Sequence, residues 1–288
     1  MNESTVEFRI ATPHEAEGLL GAAAFTPTIA ALARRERALM AIVDGEPAAL
    51  TIFTADDLVV EIGEMVVASA LRGRGIGKRI IEYLRGAAGR SIRALVPAES
   101  AAFAPMFGAL GGAFEIVAGY SLAVPVADRL AAELDGTAPL AVRPIQLESD
   151  LRDLFEIDRL AGTPCDRALH ESLGALAQGL LFARPDGELA AYLYVFPDGE
   201  IGPGAAAGSA LLGDAILYAL SRLRGIGRDL ARLRVPLSSP RLTQMLRRCG
   251  GSIVDLSVAT GEPLQSRAVC LPRCGMLRGE SAGRSSAW

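Results

Sequence analysis

The sequence lacks the long apolar segments that would place it in a membrane. No uninterrupted apolar run reaches the roughly 18 to 20 residues that a membrane-spanning helix needs, and no basic segment precedes an apolar run near Met1. We therefore expect a cytoplasmic protein without a membrane anchor. An excess of positive charge is also lacking, because the net charge is -4 and the isoelectric point is near 5.4. Nucleic acid is therefore not expected as a partner.

Histidine and paired cysteine are scarce as well, which argues against a metal site. The chain has two histidines, His14 and His170. Its four cysteines lie in the second half without a paired CxxC framework: Cys165, Cys249, Cys270 and Cys274. We expect reduced thiols and no bound metal. Cys270 and Cys274 are close enough in sequence to pair with each other if oxidised.

What the sequence does contain is enough apolar material for about two domains. The chain has 288 residues, of which 50% are hydrophobic and 22% charged, so each half can bury an ordinary core. Periodicity and turn signals in the first half predict the order β, helices, β, β, β, α, β, α, β, β. Within it, Thr12-Pro13 predicts a helix start and Asp44-Gly45 a hairpin.

A basic, glycine-rich turn joins an apolar strand, predicted over 58–67, to a helix that begins near Gly75. The turn and the start of the helix read Arg72, Gly73, Arg74, Gly75, Ile76, Gly77, Lys78. Glycines let the backbone approach a ligand closely, and the unpaired amides of a helix start can point at one anion. The stretch therefore predicts a phosphate site.

Other readings of this turn are weaker. A nucleotide P-loop needs Ser or Thr after its Gly-Lys, whereas Gly77-Lys78 is followed by Arg79. A dinucleotide site needs the spacing G-x-G-x-x-G, which Gly73-x-Gly75-x-Gly77 does not have. A turn without a ligand stays open as an alternative.

The pattern Arg72-x-x-Gly75-x-Gly77 after an apolar strand resembles the pyrophosphate loop of the GNAT superfamily of N-acetyltransferases. The resemblance implies that the loop binds acetyl-CoA (CoA) as co-substrate, and the predicted order of elements is the order that the GNAT fold shows. No metal is implied.

Short matches recur in order along the chain at nearly constant spacing. Asp44-Gly45-Glu46 returns as Asp186-Gly187-Glu188, 142 positions on, and Glu61-Ile62-Gly63 returns as Glu200-Ile201-Gly202, 139 positions on. The spacing of 139 is kept by three further pairs: Arg85-Gly86 with Arg224-Gly225, Val96-Pro97 with Val235-Pro236, and Gly111-Gly112 with Gly250-Gly251. Such a series predicts two copies of one fold.

We therefore expect an α/β (α+β) protein with two tandem GNAT-fold domains, each a mixed, mostly antiparallel twisted sheet flanked by helices. The expected boundaries are 1–136 for the CoA-binding copy, 137–261 for a degenerate copy and 262–288 for a tail. After Gly202 the second copy has no Arg or Lys where the first has three. We also expect Asp214 at the start of a helix, where it would repel a pyrophosphate. The second copy is expected to bind CoA poorly.

The resemblance assigns roles to residues of the first copy. The backbone of Met65, Val66 and Val67 would pair with the pantetheine arm like an added strand. The amide near Val67 would also face the thioester oxygen and stabilise the charge that develops there. The pyrophosphate would be held by the loop residues: Arg72, Gly73, Arg74, Gly75, Ile76, Gly77 and Lys78.

Two glutamates are candidates for the general base. An alkylamine has a pKa of about 10.4 and must lose a proton before it attacks a thioester. Glu61 matches the catalytic glutamate of the histone-acetylating branch of the family. Glu64 is the second candidate; it lies on the opposite face of a regular strand, although a bulge would change that. Either residue could instead be a polar residue of a half-exposed strand, and the return of Glu61 as Glu200 favours a structural role for it.

The general acid is not evident. Many members of the family place a tyrosine at the position that Phe107 occupies here. Tyr83 and Tyr120 are possible substitutes, and both are more typical of core residues. A thiolate whose parent pKa is about 8.5 is a fair leaving group, so transfer does not require the acid.

The resemblance implies an acyltransferase that moves an acetyl group to a primary amine of a small molecule or peptide by direct attack in a ternary complex. Two other classes stay open: a non-catalytic acyl-CoA-binding or sensing protein, and a structural dimerisation protein. The residues identify neither the amine nor the oligomeric state, with a homodimer among the options.

Overall fold

The computed structural model describes residues 5–22, 25–88, 91–98, 108–131, 140–261 and 269–271. Within these ranges no helix is long and apolar enough to cross a membrane. The described chain divides into two compact units. Each unit contains its own cluster of buried hydrophobic residues.

The first unit takes in the described residues up to Phe114 and the last residues of a later strand, from Ala259. Its main elements are β1 (Val6–Ile10), α1 (Pro13–Leu20), α2 (Pro27–Ala33), β2 (Ala38–Val43), β3 (Glu46–Ala55), β4 (Val59–Val67), α3 (Ile76–Ala88) and β5 (Ser91–Pro97). The strands lie in chain order, β1 to β5. Neighbours are antiparallel except β4 and β5, which are parallel.

Local signals account for several boundaries in this unit. The Thr12 side chain accepts a hydrogen bond from the Glu15 amide, and the Glu15 carboxylate accepts one from the Thr12 amide, so α1 begins with a capping box. Asp44 and Gly45 both have positive φ, at 52° and 86°, as the two central residues of a tight hairpin turn require. The predicted helix start and hairpin are confirmed.

The second unit contains the remaining described elements. They are β6 (Ala113–Ala123), α4 (Val124–Ala131), β7 (Ala141–Pro144), α5 (Leu147–Ala161), α6 (Arg167–Gly174), β8 (Gln178–Ala183), β9 (Leu189–Val195), β10 (Ile201–Ala206), α7 (Ser209–Gly225), β11 (Leu230–Pro236), α8 (Pro240–Arg248), β12 (Ser252–Gly261) and β13 (Val269–Leu271). One sheet has the order β13-β10-β9-β8-β7, and β6 lies between β12 and β11.

The two units repeat one order of elements. The order β, α, α, β, β, β, α, β runs from β1 to β5 and again from β7 to β11. This agreement supports the duplication that the spaced sequence matches predict.

The compact units nevertheless divide earlier than the predicted sequence boundary at residue 136, between Phe114 and Glu115. The reason is packing. Ala118, Tyr120 and Leu122 of β6 lie in one hydrophobic cluster with Leu212 and Ile216 of α7, so this strand contributes its side chains to the core of the second unit. The predicted boundary itself, between residues 136 and 137, and most of the predicted tail lie outside the described residues.

One of the two histidines, His170, belongs to a buried cluster of polar side chains. His170 Nε2 is 2.9 Å from Asp158 Oδ2 and its Nδ1 is 3.0 Å from the Tyr194 hydroxyl. Asp158 also accepts hydrogen bonds from the hydroxyls of Tyr192 and Thr163. Because these groups satisfy one another inside the second unit, the cluster ties α5, α6 and β9 together. Neither Cys165 nor Cys249 forms a disulfide.

Candidate active site

The strands β4 and β5 separate part of the way along their length. Their ladder has four pairs, from Val59 with Ser91 to Ile62 with Ala94. Beyond Ile62, β4 continues for five residues to Val67, and in the described part of the chain no strand pairs with it on that side. An extended ligand can therefore use the backbone of this segment, which includes Met65, Val66 and Val67, as strands added to sheet edges do.

The glycine-rich turn lies directly after this open edge. Gly73 and Gly75 both have φ of +76°, a left-handed conformation that glycine adopts without a steric penalty. The Gly75 carbonyl accepts the first hydrogen bond of the helix, from the Arg79 amide at 3.1 Å. The amides of the first turn of α3 then have no acceptor within the helix. The first turn also contains no acidic residue that could compete with an anion.

The side chains around the turn fit an anionic ligand. Arg72 Nε donates to the Val67 carbonyl at 3.0 Å, which holds the arginine beside the end of β4. Arg74 and Lys78 are exposed, and Lys78 forms a long i,i+4 contact of 3.7 Å with Glu82. A Cβ at Gly77 would lie 3.4 Å from the Met65 sulfur, an ordinary van der Waals distance, so the start of α3 lies beside this part of β4. The predicted loop residues therefore come together at one helix N-terminus.

A β-bulge brings the two candidate bases onto one face of the sheet. Ile52 of β3 pairs with Glu64, but the next residue, Phe53, pairs with Ile62, so Gly63 is an extra residue in β4. Thr54 then pairs with Glu61. Because Ile52 and Thr54 share a face of β3, Glu61 and Glu64 also share a face. A regular strand would have placed the two glutamates on opposite faces. The bulge, which the sequence analysis kept as an alternative, places them on the same face.

Glu61 has a cationic neighbour. Its Oε2 lies 4.0 Å from Arg93 Nη2, and the two side chains are 25% and 11% exposed. They are also register partners between β4 and β5. The same two residue types recur 139 positions on, where Glu200 and Arg232 form a parallel backbone bridge. This pair is kept in the copy without the basic loop, which favours a structural role for Glu61. Sequence reasoning missed Arg93, although its recurrence as Arg232 was the available signal.

Glu64 is in a different environment. Its side chain is half-buried, and within the described part of the chain the carboxylate forms no hydrogen bond or ion pair. Burial raises the pKa of its carboxyl from 4.5 to about 7. A carboxylate with this pKa can accept a proton near neutral pH and release it again. The geometry thus ranks Glu64 above Glu61 as a base.

The tyrosine candidates differ in exposure. Tyr120 is 1% exposed and belongs to the core of the second unit, so its burial disfavours the predicted catalytic role. Tyr83 on α3 is 40% exposed and stacks on Phe8, with ring centroids 4.4 Å apart. Phe107 lies outside the described residues. No general acid is assigned.

The second unit has a much shorter connection at the equivalent place. Two residues, Ala207 and Gly208, separate β10 from α7, whereas eight separate β4 from α3. The spacing of 139 between the copies is the same before and after this place, so no residues are deleted. Residues 211–217, which align with the basic loop at 72–78, form the first turns of α7 and include no Arg or Lys. The expected position of Asp214 at a helix start is wrong, because α7 begins at Ser209 and Asp214 lies inside it.

Residues 4–101 match the acetyltransferase (GNAT) family. The match contains β4, the glycine-rich turn and α3, which form the site described above. No curated protein sequence matches the chain significantly.

Solved structures extend the likeness to most of the chain. A protein of Pyrococcus horikoshii described as an acetyltransferase has a TM-score of 0.63 at 17% identity, and 92% of each chain is covered. A tandem GNAT protein from the clavulanic acid biosynthesis pathway has a TM-score of 0.55 at 17% identity, over 91% of this chain and 100% of that one. N-myristoyltransferase of Saccharomyces cerevisiae with bound myristoyl-CoA scores 0.55 at 11% identity, over 90% and 79%. At these identities the likeness concerns the fold.

Because its pKa is raised by burial, the ionised carboxylate of Glu64 is expected to lower the free energy of unfolding at high pH. Because the folded pKa of about 7 lies above the ordinary 4.5, the contribution of this group is favourable at low pH and is lost as pH rises through 7. We expect Glu64→Gln to raise the free energy of unfolding at pH 8.5 by on the order of 1 to 3 kcal/mol, and by less than about 0.5 kcal/mol at pH 4.5. Urea titrations at the two pH values measure this.

Glu61→Gln is the matched control, because it changes a glutamate of the same face that has a cationic neighbour. It is expected to lower stability, or leave it unchanged, at pH 8.5. A Glu64→Gln variant no more stable than the parent protein at pH 8.5 would contradict the burial argument.

Proposed function

We propose that the N-terminal unit is an acetyl-CoA-dependent N-acetyltransferase. It transfers the acetyl group to a primary amine of a small molecule or peptide by direct attack in a ternary complex. The observation that carries the proposal is that the open edge of β4 is followed by a glycine-rich helix N-terminus with no acidic residue in its first turn, because a pantetheine arm and a pyrophosphate need these two features side by side.

In this proposal each part of the site has one task. The first-turn amides of α3, together with Arg72, Arg74 and Lys78, bind the pyrophosphate. The backbone of Met65, Val66 and Val67 pairs with the pantetheine arm, which orients the thioester. An amide near Val67 donates to the thioester oxygen as negative charge develops there during attack.

Glu64 is the proposed general base. It removes a proton from the ammonium form of the acceptor, the neutral amine attacks the thioester carbon, and the C–S bond breaks as the tetrahedral intermediate collapses. The nitrogen of the intermediate loses its second proton, and the departing CoA thiolate takes up a proton through solvent or from a group that is not assigned, so that the products are the amide, the CoA thiol and protonated Glu64. The elevated pKa and the lack of an ionic partner among the described residues support Glu64 for this task.

A non-catalytic acyl-CoA-binding protein is the second candidate. The specific observation in its favour is the absence of an assigned acid, since Tyr120 is buried in the core of the second unit. CoA binding is common to both functions, and turnover of acetyl-CoA with amines separates them. A structural dimerisation protein would bind no CoA.

Calorimetry with CoA tests the binding half of the proposal. We expect one CoA per chain, since the residues of the second unit that align with the basic loop are helical and include no Arg or Lys. The double variant Arg72→Glu, Arg74→Glu is expected to weaken binding at least 100-fold, because it places two negative charges beside the pyrophosphate. The control Arg222→Glu, Arg224→Glu on α7 should bind CoA normally. Two equivalent sites, or unchanged affinity in the loop variant, would refute the assignment.

Steady-state kinetics with a panel of amines tests the chemical half. Glu64→Gln should lower kcat/KM by about 100-fold or more at pH 7 and leave CoA affinity nearly unchanged. In the parent protein kcat/KM should rise with pH through about 7, as Glu64 ionises. The deficit of the variant should shrink as pH approaches the pKa of the amine.

Glu61→Gln separates the two glutamates in the same assay. It should affect stability more than turnover, given its contact with Arg93. If Glu61→Gln loses turnover alone while Glu64→Gln retains it, the roles of the two residues are reversed. If no amine in the panel is acetylated although CoA binds, the non-catalytic function takes precedence.

A further inference from the structure

A short strand near the C-terminus pairs with β10 of the second unit. The register partners are Gly204 with Leu271, Ala205 with Cys270, and Ala206 with Val269, in antiparallel order. The segment is suited to this, because Ala268-Val269-Cys270-Leu271 is an apolar run and Pro272 ends it. The other edge of β10 pairs with β9.

The residues that β13 contacts have direct counterparts in the first copy. Gly204, Ala205 and Ala206 lie 139 positions after Met65, Val66 and Val67. The spacing also relates the bulges: in β10 the register with β9 shifts between Ile201 and Gly204, around Gly202, as it shifts around Gly63 in β4. The strand β13 therefore occupies the edge that is open in β4.

The strands β10 and β11 diverge as β4 and β5 do. In the part of the chain that the structure describes, they are joined by one isolated parallel backbone bridge, between Glu200 and Arg232. Past this bridge β13 lies beside both β10 and β11. Every residue of β10 from Ile201 to Ala206 is buried. Buried peptide groups that point away from β9 have no water to bond and require another partner. The backbone of β13 supplies it.

We propose that the divergence between β10 and β11 is a binding site for an extended polypeptide strand, and that its occupant is the segment around Val269–Leu271 of the same chain. The site is a backbone ladder, so it recognises an extended chain through main-chain hydrogen bonds. The comparison of β13 on β10 with a pantetheine arm on β4 rests on the proposed function of the first unit. The pairing of β13 with β10 does not depend on that function. With β13 in place, the second unit is closed to a pantetheine arm.

Hydrogen–deuterium exchange of the full-length chain without CoA tests this site. Cys270→Pro removes the amide of the central β13 residue and places a ring where β10 approaches. We expect exchange in the peptide containing Gly204–Ala206 to become at least 10-fold faster. Cys270→Val keeps the amide and should exchange like the parent protein.

Two additions make the result decisive. A synthetic peptide with the sequence of residues 266–274, added in excess to the Cys270→Pro variant, should restore slow exchange, and a scrambled peptide should not. Exchange in β8, which belongs to the same unit, reports whether the second unit of the variant is folded, and Leu271→Pro replaces Cys270→Pro if it is not. Unchanged exchange in a folded proline variant, or equal rescue by the scrambled peptide, would overturn the proposal. Because CoA is not present, failure here leaves the proposed acetyltransferase function untouched.

Discussion

The backbone edge of one central strand is the constraint on which both units depend. A peptide group buried inside a sheet needs a hydrogen-bond partner, and a strand that leaves its neighbour partway leaves such groups behind. In the first unit, among the residues that the structure describes, the segment of β4 beyond Ile62 has this open edge beside a basic loop. In the second unit the residues that align with the loop are helical, and β13 covers the equivalent edge. The same divergence between two strands thus leaves a free edge in the first copy and an edge paired with β13 in the second.

Sequence reasoning succeeded where a few neighbouring residues determine the structure. The capping box of Thr12 and Glu15 and the left-handed pair Asp44-Gly45 depend on local backbone chemistry. The glycine-rich turn before α3 was likewise predictable, because seven consecutive residues determine both its conformation and its charge. The duplication was visible in the spacing of the matches, and the repeated order of elements agrees with it.

Features set by pairing with distant residues were not predictable. The bulge at Gly63 depends on the register with β3, and it decides which faces Glu61 and Glu64 occupy. The raised pKa of Glu64 follows from burial by the folded chain, so composition does not reveal it. Asp214 lies inside α7 because the residues that align with the basic loop are helical in the second copy, and a repeat with the same spacing on either side does not reveal this change of conformation.

Hydrogen exchange with and without acetyl-CoA compares the two strand edges, because it measures the backbone of both copies in one experiment. We predict that acetyl-CoA slows exchange in the peptides covering Glu64–Val67 and Gly73–Lys78. We predict no change in Gly204–Ala206, where β13 already pairs. Protection of β10 on addition of acetyl-CoA, or no protection of β4 at a saturating concentration, would contradict these predictions.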